Sequence, residues 1–142
     1  MGVRLTDGKQ EVILTTRDGQ SIRFREEEVR SMGRSAGGVK GITLEENDEV
    51  VSLEILSPGA SVLTVAENGY GKRTDIAEYR VQSRGGKGII TMKATDRTGA
   101  VIGVQQVTDD DNLMLVTSTG KIIRLRVGRH PRDRTQHARA CA

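Results

Sequence analysis

The chain has almost none of the residues that carry catalysis or cross-linking. Its one cysteine, Cys141, and both histidines, His130 and His137, fall at the far C-terminal end of 142 residues. Residues 1–128 therefore hold no Ser–His or Cys–His pair for nucleophilic catalysis. A lone terminal thiol supports neither a disulfide framework nor a zinc site, and it fits the reducing cytoplasm. Aromatic residues are equally scarce, with Phe24, Tyr70, Tyr79 and no tryptophan. A core must then be assembled from Val, Ile and Leu, which suits thin layered sheets. No apolar run approaches the ~20 residues that span a bilayer, and no signal-peptide core is present, so no membrane partner is expected.

Charge of one sign is missing as well. Residues 129–142 hold four arginines against one aspartate, which leaves 18 cations and 18 anions in the first 128 residues. A role that needs positive charge would require those cations to be sorted onto one surface.

What the chain does have is glycine, seventeen in all, and a repeat. Val12–Thr16 leads to Gly19 and then Ser21–Phe24; Val62–Val65 leads to Gly69 and then Lys72–Thr74; Leu113–Thr117 leads to Gly120 and then Lys121–Leu125. The turn glycines stand 50 and 51 residues apart. Units of this length, each an apolar run, a turn and a second run, form a core only by stacking on their neighbours. The expected fold is all-β, a β-pinwheel or propeller-like repeat of four-stranded antiparallel blades in an incomplete array. Blades are expected at about 1–58, 59–109 and 110–128, the last one incomplete, within a domain of residues 1–128. Strands are expected at Glu11–Thr16, Ser21–Arg25, Val39–Leu44, Val50–Leu56, Ser61–Ala66, Tyr70–Thr74, Ile89–Ala94, Val101–Val107, Asn112–Thr117 and Lys121–Val127. Residues 129–142 lose the alternation and read as a disordered or non-native tail.

Motifs that suggest small-ligand chemistry fail on spacing. Gly69-Tyr70-Gly71-Lys72-Arg73-Thr74 has Ala66 where a phosphate-binding loop needs glycine and Arg73 where it needs Ser or Thr. Asp109-Asp110-Asp111 lacks the glycine and glutamate of a calcium loop and reads as a solvated turn. Tyr70 and Tyr79 have no accompanying acidic cluster that would make either one a nucleophile, and both read as packing residues. No catalytic residue, metal or cofactor is expected in this chain.

The cations give the best functional signal. Arg30, Arg34 and Lys40 flank the glycine loop 33–38, and Arg80, Arg84 and Lys87 flank its counterpart 83–88. Lys72, Arg73, Lys121 and Arg124 lie on hairpins. Equivalent positions of a stacked repeat share one surface, so these ten residues are expected to form a stripe that holds backbone phosphates of duplex DNA without reading bases. The missing aromatic platform weighs against single-strand binding. The alternative is a propeller-like protein-interaction module with no nucleic-acid role.

The segments Val29–Ile42, Asn68–Thr74, Lys87–Ile90 and Val101–Val104 resemble the C-terminal domain of the DNA gyrase A subunit; the likeness runs over residues 11–127. The topoisomerase IV relative shares that fold. The resemblance implies a pinwheel that is six-bladed when complete, with each blade exchanging a strand with its neighbour, of which this chain covers about three blades. It implies duplex DNA binding and wrapping around a positive rim. Wrapping would support ATP-dependent negative supercoiling by a cytoplasmic, bacterial type II topoisomerase. The implied partners are duplex DNA, the rest of the gyrase A chain and the gyrase B chain. The cleaving tyrosine, ATP and magnesium belong to segments outside this chain, which is not expected to be an enzyme by itself. Gln82–Gly88 resembles the gyrase box Gln-Arg-Arg-Gly-Gly-Lys-Gly, with Ser83 in its second place. The same family pattern suggests that the tail is a blade connector read in a shifted frame, which the coding DNA would show. Exposed blade edges also invite self-association.

Overall fold

The computed structural model describes residues 2–129 together with the backbone of Ala138–Arg139. Three hairpins organise the chain, one per repeat unit. In unit 1, β1 (Glu11–Thr16) turns into β2 (Gln20–Arg25), and β3 (Val50–Leu56) pairs antiparallel on the other side of β1. In unit 2, β4 (Ser61–Ala66) and β5 (Tyr70–Asp75) form the hairpin, and β7 (Val101–Val107) flanks β4 in the same way. Unit 3 contributes the hairpin of β8 (Asn112–Val116) and β9 (Ile122–Arg126). A register irregularity recurs at Thr15/Thr16 and at Val65/Ala66, where the ladder to the flanking strand slips.

The fourth strand of each full sheet comes from the next unit. The short β6 (Ile89–Ile90) belongs to unit 2 but pairs with β2, Ser21 opposite Ile89 and Gln20 opposite Ile90. Likewise β10 (Ala138–Arg139) pairs with β5. The sheet orders are β3-β1-β2-β6, β10-β5-β4-β7 and β8-β9. The all-β, four-stranded antiparallel blade with an exchanged strand is therefore present. Two expected strands differ. Ile89–Ala94 is a strand only at Ile89–Ile90, because the Thr91 and Met92 N–H groups both turn in to the Gly19 carbonyl, at 2.9 and 3.4 Å. The Thr95 and Thr98 hydroxyls then close a turn that leads on to β7. Val39–Leu44 joins no sheet. Its counterpart Ile89–Ile90 pairs with the preceding unit's hairpin, and residues 2–10 supply no such hairpin. Within the segment 129–142, which the sequence sets apart as a tail, Ala138–Arg139 is the exchanged strand just described; the remainder lies outside the described residues.

Each hairpin turn places its glycine in the left-handed region, at φ 85° for Gly19, 78° for Gly69 and 81° for Gly120. At Gly19 a second constraint applies. A Cβ there would lie 1.7 Å from the Met92 carbonyl oxygen, so the exchanged segment touches the turn backbone itself.

The main apolar cluster lies between units 1 and 2. It joins Ile13 and Leu56 to Ala60, Val62, Ile76, Tyr79, Val101 and Val104. A second cluster, Val12, Ile22, Phe24 and Ile42, fills unit 1. Burying an aliphatic side chain of this kind contributes about 1.5–3 kcal/mol. A polar bracket reinforces the junction. The Arg23 guanidinium binds Glu11 on its own sheet and donates from one nitrogen to the carbonyls of Ile76 and Tyr79, both at 2.8 Å. Those carbonyls belong to the 3₁₀ turn of unit 2, the counterpart of the 3₁₀ turn Glu26–Glu28.

This packing has two measurable consequences. Gly19→Ala meets both an unfavourable φ and a backbone clash, so it should cost well over about 2 kcal/mol, whereas Gly120→Ala meets open space and should cost about 1 kcal/mol. Denaturant titration of both variants checks the contrast. Tyr79 is almost fully buried, and burial raises its hydroxyl pKa above 10, an effect partly offset by hydrogen bonds to Thr91, Thr74 and Thr64. A raised folded-state pKa means the stabilisation from neutral Tyr79 is complete below about pH 10 and is lost as pH rises through the folded value. Tyr79→Phe should abolish that alkaline loss of stability and remove the late step from the ultraviolet tyrosine titration.

Candidate nucleic-acid interface

The two glycine loops lie against one another. Gly85 N–H donates to the Gly41 carbonyl at 2.6 Å, Thr43 N–H to the Gly86 carbonyl at 2.8 Å, and the Thr43 hydroxyl to the Gly85 carbonyl at 2.6 Å. The box-like segment Gln82–Gly88 is held at both ends to β2 as well. Val81 bridges Arg23 in parallel, and Gln82 N–H reaches the Arg23 carbonyl at 2.8 Å. Near the other end, Gly88 has φ 78°, and a Cβ there would lie 2.3 Å from the Ser21 carbonyl oxygen. Glycine at that point lets the loop close down on the sheet.

Arg84 fastens this arrangement. Its backbone N–H donates to the Glu28 carboxylate at 3.0 Å, its Nε to the Glu28 carbonyl at 2.9 Å and its Nη1 to the Lys40 carbonyl at 3.1 Å. Lys87 reaches Glu45 at 2.7 Å, and the hydrogen bond and charge of that exposed carboxylate raise its pKa. Arg30, Arg34, Lys40 and Arg80 are exposed, and their side chains make no hydrogen bond or ion pair among the described residues. The loop contacts thus bring Lys40, Arg84 and Lys87 together, with Arg30 two residues from the Arg84 anchor at Glu28.

The expected hairpin cations stand elsewhere and serve other ends. Arg73 is 5% exposed, and its guanidinium donates to Asp109 at 2.6 Å, so it is a structural ion pair and not a surface contact. Lys72 is half-buried, with its ammonium on the Thr91 carbonyl at 3.0 Å. Arg124 reaches only Asn112, at 3.3 Å, and Lys121 is exposed; both lie on the unit 3 hairpin, with no contact to the loop group. The aspartate turn also has structural work, because Asp111 accepts from the N–H and hydroxyl of Thr108, which lowers its pKa. Tyr70 sits on the rim with Arg97 over its ring, 5.5 Å from the centroid. The reading of the sequence missed Arg23 and the acidic partners Glu28 and Glu45. For Arg23 a signal existed, since Arg23, Arg73 and Arg124 recur at the spacing of the turn glycines. A cleft of about 610 Å³ near Arg23, lined by Lys9, Glu11, Arg25 and Glu27 among others, mixes both signs of charge.

Antiparallel sheets that exchange a strand between successive units, with glycine loops stacked along one side, define a propeller-type repeat domain. The chain belongs to the DNA gyrase C-terminal domain family, a beta-propeller family that matches residues 10–57, 60–108 and 111–128. It is 47% identical over 127 residues to the DNA gyrase A chain of Escherichia coli (strain K12), a match covering 89% of this chain and 14% of that protein. Among solved structures, the C-terminal domain of DNA topoisomerase IV superposes with TM-score 0.84 at 30% identity, covering 89% of this chain and 40% of that one. The DNA gyrase A C-terminal domain gives TM-score 0.81 at 30% identity over 87% of this chain and 42% of that one. The chain therefore spans a small part of the length of its curated relatives.

Structural and surface cations should separate by stability. Arg73→Ala leaves Asp109 without this partner and opens a buried site, and should cost about 1–3 kcal/mol; Arg30→Ala should stay within about 0.5 kcal/mol of the parent. Thermal and denaturant unfolding of the two variants checks this.

Proposed function

We propose that this chain binds duplex DNA along the stacked glycine loops and serves as the DNA-wrapping portion of a gyrase-type A chain. The observation that carries this reading is the loop stacking itself. It makes a contiguous basic surface from Arg30, Arg34, Lys40, Arg80 and Lys87, in a region whose overall charge is balanced. The carboxylates that touch the loop group are Glu28, engaged with Arg84, and Glu45, engaged with Lys87. Lys87 and Glu45 are both solvent-exposed, so their attraction is weak and a phosphate oxygen can take the place of the carboxylate. The main-chain amides of the loops add uncharged donors beside the cations.

Such contacts hold phosphates and carry no base information, so binding is expected to be insensitive to sequence. Bending tens of base pairs costs several kcal/mol, and many individually weak contacts must share that load. Arg73, Lys72 and Arg84 enter this reading as supports of the loop geometry, and Lys121 and Arg124 stand outside the contact set. The gyrase B chain, the remainder of the A chain, ATP and Mg²⁺ would belong to the cytoplasmic assembly in which wrapped DNA is passed and supercoiled. This chain contributes only the wrapping surface.

A filter-binding titration against salt tests the proposal. With five phosphate contacts, the logarithm of the binding constant should fall with the logarithm of salt at a slope of about −4.5. Lys40→Glu combined with Arg80→Glu should lower affinity by more than about tenfold while leaving the thermal midpoint in place. A flat salt response, or unchanged affinity in the double variant, would instead favour a protein-interaction role.

A further inference from the structure

We infer that this chain associates head to tail with a second copy of itself, unit 3 of one copy packing onto unit 1 of the next as unit 1 packs onto unit 2 within the chain. The internal junction shows what such a contact needs. Ile13 packs against Val62, Tyr79, Val101 and Val104; Arg23 donates to the carbonyls of Ile76 and Tyr79; and the outer edge of β2 is closed by β6.

Unit 3 carries the first half of this junction with nothing on it. The Gly19–Gly120 spacing of 101 residues places Met114 at the position of Ile13, Arg124 at that of Arg23 and Ile122 at that of Ser21. Met114, Val116 and Ile122 are 55%, 68% and 63% exposed, although their unit 1 counterparts are buried. Arg124 has only the long bond to Asn112, and the outer edge of β9 has no strand partner among the described residues. Lys121 pairs back to Thr117, so strand alternation turns the Ile122 N–H and C=O away from β8, toward that open edge.

Unit 1 carries the second half. Val29 and Val50 are 40% and 44% exposed, whereas Tyr79 and Val101, which hold the same places in unit 2, are 2% and 1% exposed. The counterpart of the exchanged strand Ile89–Ile90 is Ile42–Thr43, which belongs to no sheet. Thr43 N–H faces the unit 2 loop, so alternation turns the Ile42 backbone the opposite way. The two halves match in register. Ile42 of one copy would pair with Ile122 of the other and Thr43 with Lys121, Met114 would cover Val50, and Arg124 would donate to the carbonyls of Glu26 and Val29. The acidic turn Glu26–Glu28 would face Arg124 and Arg126. One chain thus presents both complementary ends at the spacing of its own repeat, and that selects a second copy as the occupant. The contact is heterologous, so each copy keeps one end of each kind.

Sedimentation equilibrium and amide exchange, without nucleic acid and from micromolar to millimolar chain, test the inference. The average mass should rise with concentration, and the Ile42 and Ile122 amides should slow together. Ile122→Pro deletes only an outward N–H, and Arg124→Glu places a carboxylate before the acidic turn; each should weaken association by at least roughly tenfold with an unchanged circular dichroism spectrum. Val50→Asp should do the same from the other end. A mixture of Ile122→Pro with Val50→Asp should restore one-to-one pairs, because each copy retains one intact end. A monomer at every concentration overturns the inference, as does full association of both unit 3 variants. Slowed exchange at Ile122 and Arg124 without Ile42, or a mixture that fails to pair, would also overturn it by indicating symmetric β9–β9 contact.

Discussion

The second strand of each hairpin exposes an unpaired edge, and a buried sheet edge must find hydrogen-bond partners. In units 1 and 2 those partners arrive from the following unit, 68 residues after Ser21 and 67 residues after Gly71. Most other features depend on this exchange. It brings the Met92 carbonyl against Gly19, presses Gly88 onto Ser21 and draws the box-like loop across β2 to meet the first glycine loop. The apolar cluster around Ile13 and Val62 and the Arg23 bracket then fill the space that the crossing strand defines.

The basic residues divide according to that geometry. Arginines in mid-hairpin, where the next unit arrives, become brackets or buried ion pairs, as Arg23 and Arg73 do. Arg84 holds two backbone carbonyls, because the stacked loops leave those acceptors within its reach. Cations further out on the loops keep their hydration and remain able to meet a phosphate. A chain with balanced charge can in this way present one basic face, since acids are engaged by the structural arginines and in the turns.

Much of this was legible beforehand. The recurring glycines, the alternation in Val50–Leu56 and the apolar runs of β1 and β4 marked the hairpins nearly to the residue, because turn chemistry and the two-residue period are local. The extent of Ile89–Ala94 was not legible, since the chain bends there to satisfy the Gly19 carbonyl of another unit. Nor was the fate of Arg73 against that of Arg30. Both are arginines beside turns in a glycine-rich context, and only Asp109, 36 positions away, distinguishes them.

By itself the sequence determined the all-β repeat, its period, the hairpin turns and the absence of catalytic chemistry in residues 1–128, because each rests on residue type and short-range spacing. The tertiary structure decided which strand completes which sheet, which cations are consumed as brackets and which loops touch. Those outcomes depend on hydrogen bonds and burial between residues dozens of positions apart, where the competing partners differ by about a kcal/mol and only the folded geometry selects among them.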